Sequence, residues 1–259
     1  MRSKFSPLAA LMLIAIVGIN FAEASTEAAA QCRGLDVKHQ QVNNDIGNTA
    51  SLQRGARNFM SYCVTCHSLK YNRYSRIAKD LGIPDAELDK FLVLPNVKKT
   101  DYVTAPLSAS DGEAWFGKAP PDLSLIARSR GPDYVYQYLT SFYADAGSVT
   151  GVNNLVLPGT AMPHVLSSLQ GVPDALRCNL AAGQPGATIV ISELVPGVVG
   201  QLDSEQYIGF VRDTVNFLDY AGEPTKALRT SLGVWVILFL LVFTGFAYLL
   251  KQEYWRDIK

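Results

Sequence analysis

Cys63-Val64-Thr65-Cys66-His67 sets two thiols three positions apart and follows the second at once with an imidazole. These residue types in this order suit one chemistry. Each cysteine can add across a vinyl group of a porphyrin, the two-residue spacer matches the separation of the vinyls, and the next histidine then lies under the iron as an axial ligand. Cys-x-x-Cys by itself also fits a thiol–disulfide pair or half of a zinc site. The chain has no second Cys-x-x-Cys, however, and no histidine pair at zinc spacing. The pentapeptide therefore implies one covalent haem c, held by Cys63, Cys66 and His67.

The iron's other axial position decides between a carrier and a catalyst. Outside the N-terminal leader described below, the thioethers are Met60 and Met162, and the remaining imidazoles are His39 and His164. Met60 stands one helical turn before the attachment site, on the same side of the porphyrin as the cysteines. Met162 lies about a hundred residues on, in Leu157-Pro158-Gly159-Thr160-Ala161-Met162-Pro163, a proline-stiffened loop suited to pressing a side chain onto the opposite face. Met162 is favoured over its neighbour His164, because thioether ligation is common in carriers of this haem type. His67 and Met162 are thus the expected metal ligands, and no catalytic residue is expected.

The elements that must position these groups are mainly helical. A helix is predicted from Leu52 to Cys63 with Ser51 as its cap and Leu52, Gly55, Ala56, Phe59 and Met60 on one face. Gly55 one turn before Phe59 offers bare backbone beside a ring, which suits close packing against a second helix. That partner is predicted over 204–219, capped by Asp203 with Gln206 three residues on, carrying Tyr207, Phe210, Val211, Thr214 and Leu218 in a stripe and ended by Glu223-Pro224. A third helix is predicted from Tyr134 to Tyr143, after Gly131-Pro132-Asp133. Residues 25–48 read as polar and extended, and the spans 84–121 and 144–200, broken by Pro and Gly, read as loops around the haem pocket. The Gly55/Phe59 pair resembles the N-terminal helix of a class I cytochrome c. The fold expected is therefore a mainly α, class I cytochrome c-like domain with long loop insertions.

Two segments address the chain to a membrane. Arg2 and Lys4 precede an apolar run from Leu8 to Ile19, and Ala22-Glu23-Ala24 supplies an A-x-A cleavage site, so residues 1–24 read as an export signal. The leader is neither Arg-rich nor Ser-rich, which fits a bacterial Sec route. Residues 231–250 are uncharged and span roughly 30 Å as a helix, enough to cross a bilayer. Lys226 and Arg229 precede this span, while Lys251, Tyr254, Trp255, Arg256 and Lys259 follow it. The organisation expected is a signal at 1–24, a periplasmic haem domain at 25–225 and a single-pass anchor at 226–259 with a short cytoplasmic tail. Export also allows Cys32 and Cys178 to form a disulfide, with two buried thiols as the alternative. With 23 basic and 23 acidic side chains the chain has no polycationic surface, which excludes nucleic acid as a partner.

Ala119-Pro120-Pro121-Asp122-Leu123-Ser124-Leu125-Ile126-Ala127-Arg128-Ser129-Arg130, then Asp133-Tyr134-Val135 and Leu139-Thr140, resemble the cytochrome c1 family of the quinol-oxidising cytochrome bc1 complex. Arg54-Gly55 ahead of the haem motif is similar to it, as are Asn216-Phe217-Leu218 and Ala221-Gly222-Glu223-Pro224 before one C-terminal span. The resemblance implies that the Pro121 carbonyl accepts from the outer ring nitrogen of His67, that Arg130 bonds a haem propionate, and that Tyr134 lies near the same group. Trp115-Phe116-Gly117-Lys118 stands where some members carry two asparagines. It further implies an electron-transfer subunit that takes one electron at a time from a Rieske iron–sulfur protein and passes it to a soluble or tethered cytochrome c. The implied setting is a dimeric complex beside cytochrome b in the bacterial inner membrane. The rival readings are a tethered cytochrome serving another respiratory complex and a haem enzyme with an open distal site. Acidic residues such as Asp85, Glu87 and Asp89 form a face that could steer a basic carrier, although such a face is usually only solvated.

Overall fold

The helix ahead of the haem motif, α1, runs Thr49–Tyr62 and not from Leu52. Its cap is Asn48, whose side chain accepts from the Ser51 N–H, so Ser51 is not the cap. Ser51 lies inside the helix with its hydroxyl donating to Asp213 at 2.7 Å. A computed structural model of the chain describes residues 34–37, 40–180 and 188–258. The predicted signal, Cys32 and His39 lie outside the described residues.

The described residues divide into two units, a helical one of Gln40–Thr140 with Leu202 onward and a strand-bearing one of Ser141–Gln201 with residues 34–37. In the helical unit α1 is followed by β1 (Leu69–Arg73), α2 (Tyr74–Leu81), α3 (Asp85–Phe91), β2 (Tyr102–Val103), α4 (Ala109–Phe116), α5 (Ile126–Arg130) and α6 (Pro132–Thr140). The span 84–121 is therefore not one long loop: α4 is capped by Ser108, which accepts from the Asp111 N–H, and β2 pairs antiparallel with β1. The third predicted helix stops at Thr140. Its expected last turn, Phe142 and Tyr143, is instead strand, as the run Phe-Tyr-Ala permits.

The helical unit is organised by the crossing of α1 with α8 (Ser204–Gly222), whose capping box joins Asp203 and Gln206 as the sequence predicts. At the crossing Gly55 must be glycine, because a Cβ there would lie 2.1 Å from the Asp213 carbonyl oxygen and 2.6 Å from the Phe217 Cβ. Phe59 packs on Phe217 with ring centroids 5.9 Å apart, and Tyr62 meets Phe210 edge-on at 5.4 Å. Phe59, Phe217, Val211 and Val215 are fully buried, each contributing about 1.5–3 kcal/mol. The amide N–H groups sunk here are paired: Asn58 donates to the Phe210 carbonyl and Thr214 hydroxyl, and Asn216 to the Asp45 carbonyl and Ser51 hydroxyl. Tyr207 donates to the Leu139 carbonyl at 2.7 Å, fastening α6 to α8.

After Glu223-Pro224, α9 runs Lys226–Trp255. Within Leu228–Trp255 an 18-residue window reaches a mean hydropathy of 2.4, with none of it buried against protein. At 1.5 Å per residue Leu228–Trp255 measures about 42 Å, enough to cross a bilayer. Its start is tied to the end of α8 by Lys226 with Asp219 at 3.2 Å and Arg229 with Glu223 at 2.7 Å.

The strand-bearing unit holds β3 (Phe142–Ala144), β4 (Val152–Asn154), α7 (Ser167–Gln170), β5 (Gly171–Leu180) and β6 (Thr188–Val199). The predicted loop at 144–200 thus holds a long antiparallel strand pair in its second half, while 145–151 and 155–166 are turns and loop as expected. β5 and β6 pair from Gly171↔Val199 to Leu180↔Thr188, with an irregularity between Val172 and Asp174 where Pro173 faces Pro196 and Gly197. Prolines cannot donate to a ladder and collect at such bulges, which is why the span looks loop-like in sequence. Leu35 adds a hydrogen bond from its N–H to the Ile191 carbonyl. Cys178, in β5, is disulfide-bonded.

Candidate haem site

The attachment segment is shaped by the end of α1. The N–H groups of Cys63 and Val64 both donate to the Phe59 carbonyl, and those of Cys66 and His67 to the Cys63 carbonyl, at 2.8–3.1 Å. This turn folds the pentapeptide on itself. Val64 anchors it in the core, while Cys63 and Cys66 are free thiols at partly exposed positions. Burial, with the neighbouring Cys66 adding to it, pushes the Cys63 thiol up to about 12, and burial also raises Cys66. Among the described residues no three His, Cys, Asp or Glu side chains form a group able to hold a metal ion.

His67 leads into β1 with its ring fixed by one contact. Nδ1 lies 2.7 Å from the Pro121 carbonyl oxygen. A carbonyl only accepts, so Nδ1 carries the proton and Nε2 presents its lone pair. Burial lowers the affinity of this imidazole for a second proton, opposed by the Pro121 carbonyl and by Asp122. Pro121 is itself held by residues to which the sequence assigned no role. Asp122 accepts from the N–H groups of Lys70 and Ser124, both at 3.0 Å. The Leu123 N–H donates to the Ser68 carbonyl at 2.9 Å, and the Tyr71 N–H to the Ser124 hydroxyl at 3.3 Å. The Asp-x-Ser spacing was a readable signal for such a turn.

Arg130 ends α5 and is exposed, its guanidinium 5.5 Å from the centre of the Tyr134 ring. It has no carboxylate partner among the described residues. Tyr134 stacks on Tyr138 at 6.4 Å, so this end of α6 offers one cation beside two phenols. Cys63, Cys66, His67, Pro121, Arg130 and Tyr134 all belong to the helical unit.

Met162 belongs to the strand-bearing unit and is partly exposed. His164, two residues on, is 6 % exposed with its ring flat on Phe142, centroids 4.8 Å apart. Burial lowers its basicity to about 4, so the ring is neutral at physiological pH. Met60, on α1, is partly exposed beside the buried Phe59.

Two unbonded thiols, an imidazole whose outer nitrogen is already engaged and a cation with no carboxylate partner among the described residues fit a covalently attached haem. The model of the Cytochrome C1 family matches residues 93–258. The chain belongs to the cytochrome c1 family. Cytochrome c1 of Allochromatium vinosum is 45 % identical over 219 residues, covering 85 % of this chain and 89 % of that protein. The ammonia monooxygenase gamma subunit of Nitrosomonas europaea is 41 % identical over 88 % of this chain and 92 % of its own length. Cytochrome c1 of Rhodospirillum rubrum is 27 % identical over 80 % and 82 %. Cytochrome c1 proteins carry one covalent haem c and act in electron transport as a subunit of the cytochrome bc1 complex. The family match begins after His67, so Cys63-Val64-Thr65-Cys66-His67 supports the haem independently. The apolar helix α9 fits a membrane-anchored protein.

Proposed function

We propose that this chain is the electron-carrying subunit of a quinol–cytochrome c oxidoreductase, with haem c joined to Cys63 and Cys66 and ligated by His67 and Met162. The observation that carries this reading is the 2.7 Å contact between His67 Nδ1 and the Pro121 carbonyl, which reserves Nε2 for iron and raises its donor strength. The partial exposure of Met162 supports the thioether as the sixth ligand, whereas the His164 ring is occupied by Phe142. When bound, the haem supplies a one-electron ferric–ferrous couple. Two protein ligands leave no open position for oxygen or peroxide, so the chain serves as a wire. Arg130 pairs with a propionate and Tyr134 lies beside it, a charge-assisted contact that favours the ionised carboxylate.

The domain at 25–225 adopts a class I cytochrome c-like arrangement, supported by the Gly55 crossing of α1 with α8. Residues 1–24 are its cleaved signal. The segment 226–259 holds it on the periplasmic side of a bacterial inner membrane, beside cytochrome b in a dimeric complex. It takes electrons from a Rieske iron–sulfur protein and delivers them to a soluble or tethered cytochrome c.

Purification from solubilised membranes through a tag on this chain tests the assignment. Cytochrome b and a Rieske protein are expected to copurify, and quinol to reduce the haem. Recovery of the chain alone would overturn the reading, and recovery with monooxygenase subunits would favour the role for which the Nitrosomonas relative is named. Ready carbon monoxide binding by the reduced protein at neutral pH would instead favour an enzyme with an open distal site.

A further inference from the structure

The loop bearing Met162 is fastened at both ends to one small ladder. Before it, the Asn154 side-chain oxygen accepts from the N–H groups of Val156 at 2.9 Å and Leu157 at 3.1 Å. The Asn153 side-chain oxygen accepts from the Gly159 N–H at 2.8 Å, while its amide donates to Asp145 at 2.9 Å. Beyond it, the His164 ring lies on Phe142 at 4.8 Å and 7°. These anchors share a rung, because Phe142 and Asn154 are cross-strand partners of β3 and β4, with Tyr143 and Asn153 next to them. Asn154 is fully buried and His164 and Thr160 are each 6 % exposed, whereas Ala161, Met162 and Pro163 are only half-buried. The loop is therefore gripped on either side of the thioether and open at it.

We propose that the Phe142–Asn154 rung clamps the loop and sets how firmly Met162 holds the haem iron, with Asn153, Asn154 and His164 as positioning residues. This rests on the reading of Met162 as axial ligand. A neutral thioether stays on iron only while its loop is closed, and opening the loop admits an external ligand in proportion to the open fraction. Removing an anchor leaves backbone N–H groups unpaired or a ring face uncovered, which favours the open loop. Among the described residues His164 Nε2 has no hydrogen-bond partner, although the Gly171 backbone and the Gln170 side chain act on the ring. The stack on Phe142 is the part of the grip that a phenyl ring can reproduce.

The test is imidazole titration of the ferric haem in the purified complex, followed by the weak red charge-transfer absorption of a sulfur–iron bond. Asn154→Ala and His164→Ala are expected to bind imidazole about tenfold more tightly than the wild type, and His164→Phe to stay within about twofold. Asn153→Ala, at a position that is only half-buried, keeps the test open if the core variants fail to fold, and is expected to shift binding about threefold in the same direction. Wild-type affinity in the alanine variants, with the absorption abolished in Met162→Ala, overturns the clamp alone. Retention of the absorption in Met162→Ala overturns the axial assignment, and the clamp with it.

Discussion

The segments bearing His67 and Met162 are held by different means. Around His67 the backbone does most of the holding: the turn at the end of α1 closes on the Phe59 and Cys63 carbonyls, and the Ser68 and Pro121 carbonyls fix the rest. Around Met162 side chains do it, through the Asn153 and Asn154 amides and one ring stack. Backbone bonds follow from where a helix stops, so the turn itself tolerates most substitutions, while the Pro121 side also leans on the Asp122 carboxylate. Side-chain clamps are removable one residue at a time. The first segment suits attachment, the second suits adjustment.

The sharpest break of the attachment side is Cys63→Ser with Cys66→Ser. Haem is expected to leave the chain under denaturing conditions, read as loss of the peroxidase-active band on a denaturing gel. Next in size is Gly55→Leu, since even one added carbon would meet the Asp213 carbonyl at 2.1 Å. Overpacking of this kind costs about 1–3 kcal/mol or more, seen as a lower midpoint of thermal unfolding. Asp122→Ala is smaller. It frees the Lys70 and Ser124 N–H groups, the first of them exposed, at a cost of about 1 kcal/mol and loosens Pro121, so the haem midpoint potential is expected to move with the stability.

The smallest effect lies on the clamp side. The Asn153 amide, and then the Gly147 N–H, hold the Asp145 carboxyl below the usual carboxylate range. A depressed acid stabilises the fold above its ordinary value, about 4, and loses that contribution as pH falls through its lower folded value. Thermal unfolding followed from pH 7 into acid is expected to show a slightly weaker acid dependence in Asp145→Asn than in the wild type.

How much the sequence disclosed follows the same division. The haem motif and the Asp203/Gln206 cap are contiguous patterns, and the close crossing announced by Gly55 and Phe59 lies where the periodicity places it. The Asn48 cap was missed because Ser51 competes for the same role, and tertiary contact with Asp213 took Ser51 instead. The β5–β6 pair was missed because Pro173 and Pro196 read as loop punctuation, although together they occupy a bulge. The Asn153 and Asn154 anchors were illegible for another reason. Two adjacent asparagines predict a turn, and only the register of β3 against β4 makes them holders of a loop.

The most direct test of the central claim replaces Met162 with alanine in the assembled complex and records the ferric optical spectrum with the midpoint potential. The red sulfur–iron absorption is expected to vanish and the potential to fall by on the order of 100 mV, since axial ligands govern that property. An unchanged spectrum with an unchanged potential would contradict a haem held between His67 and Met162.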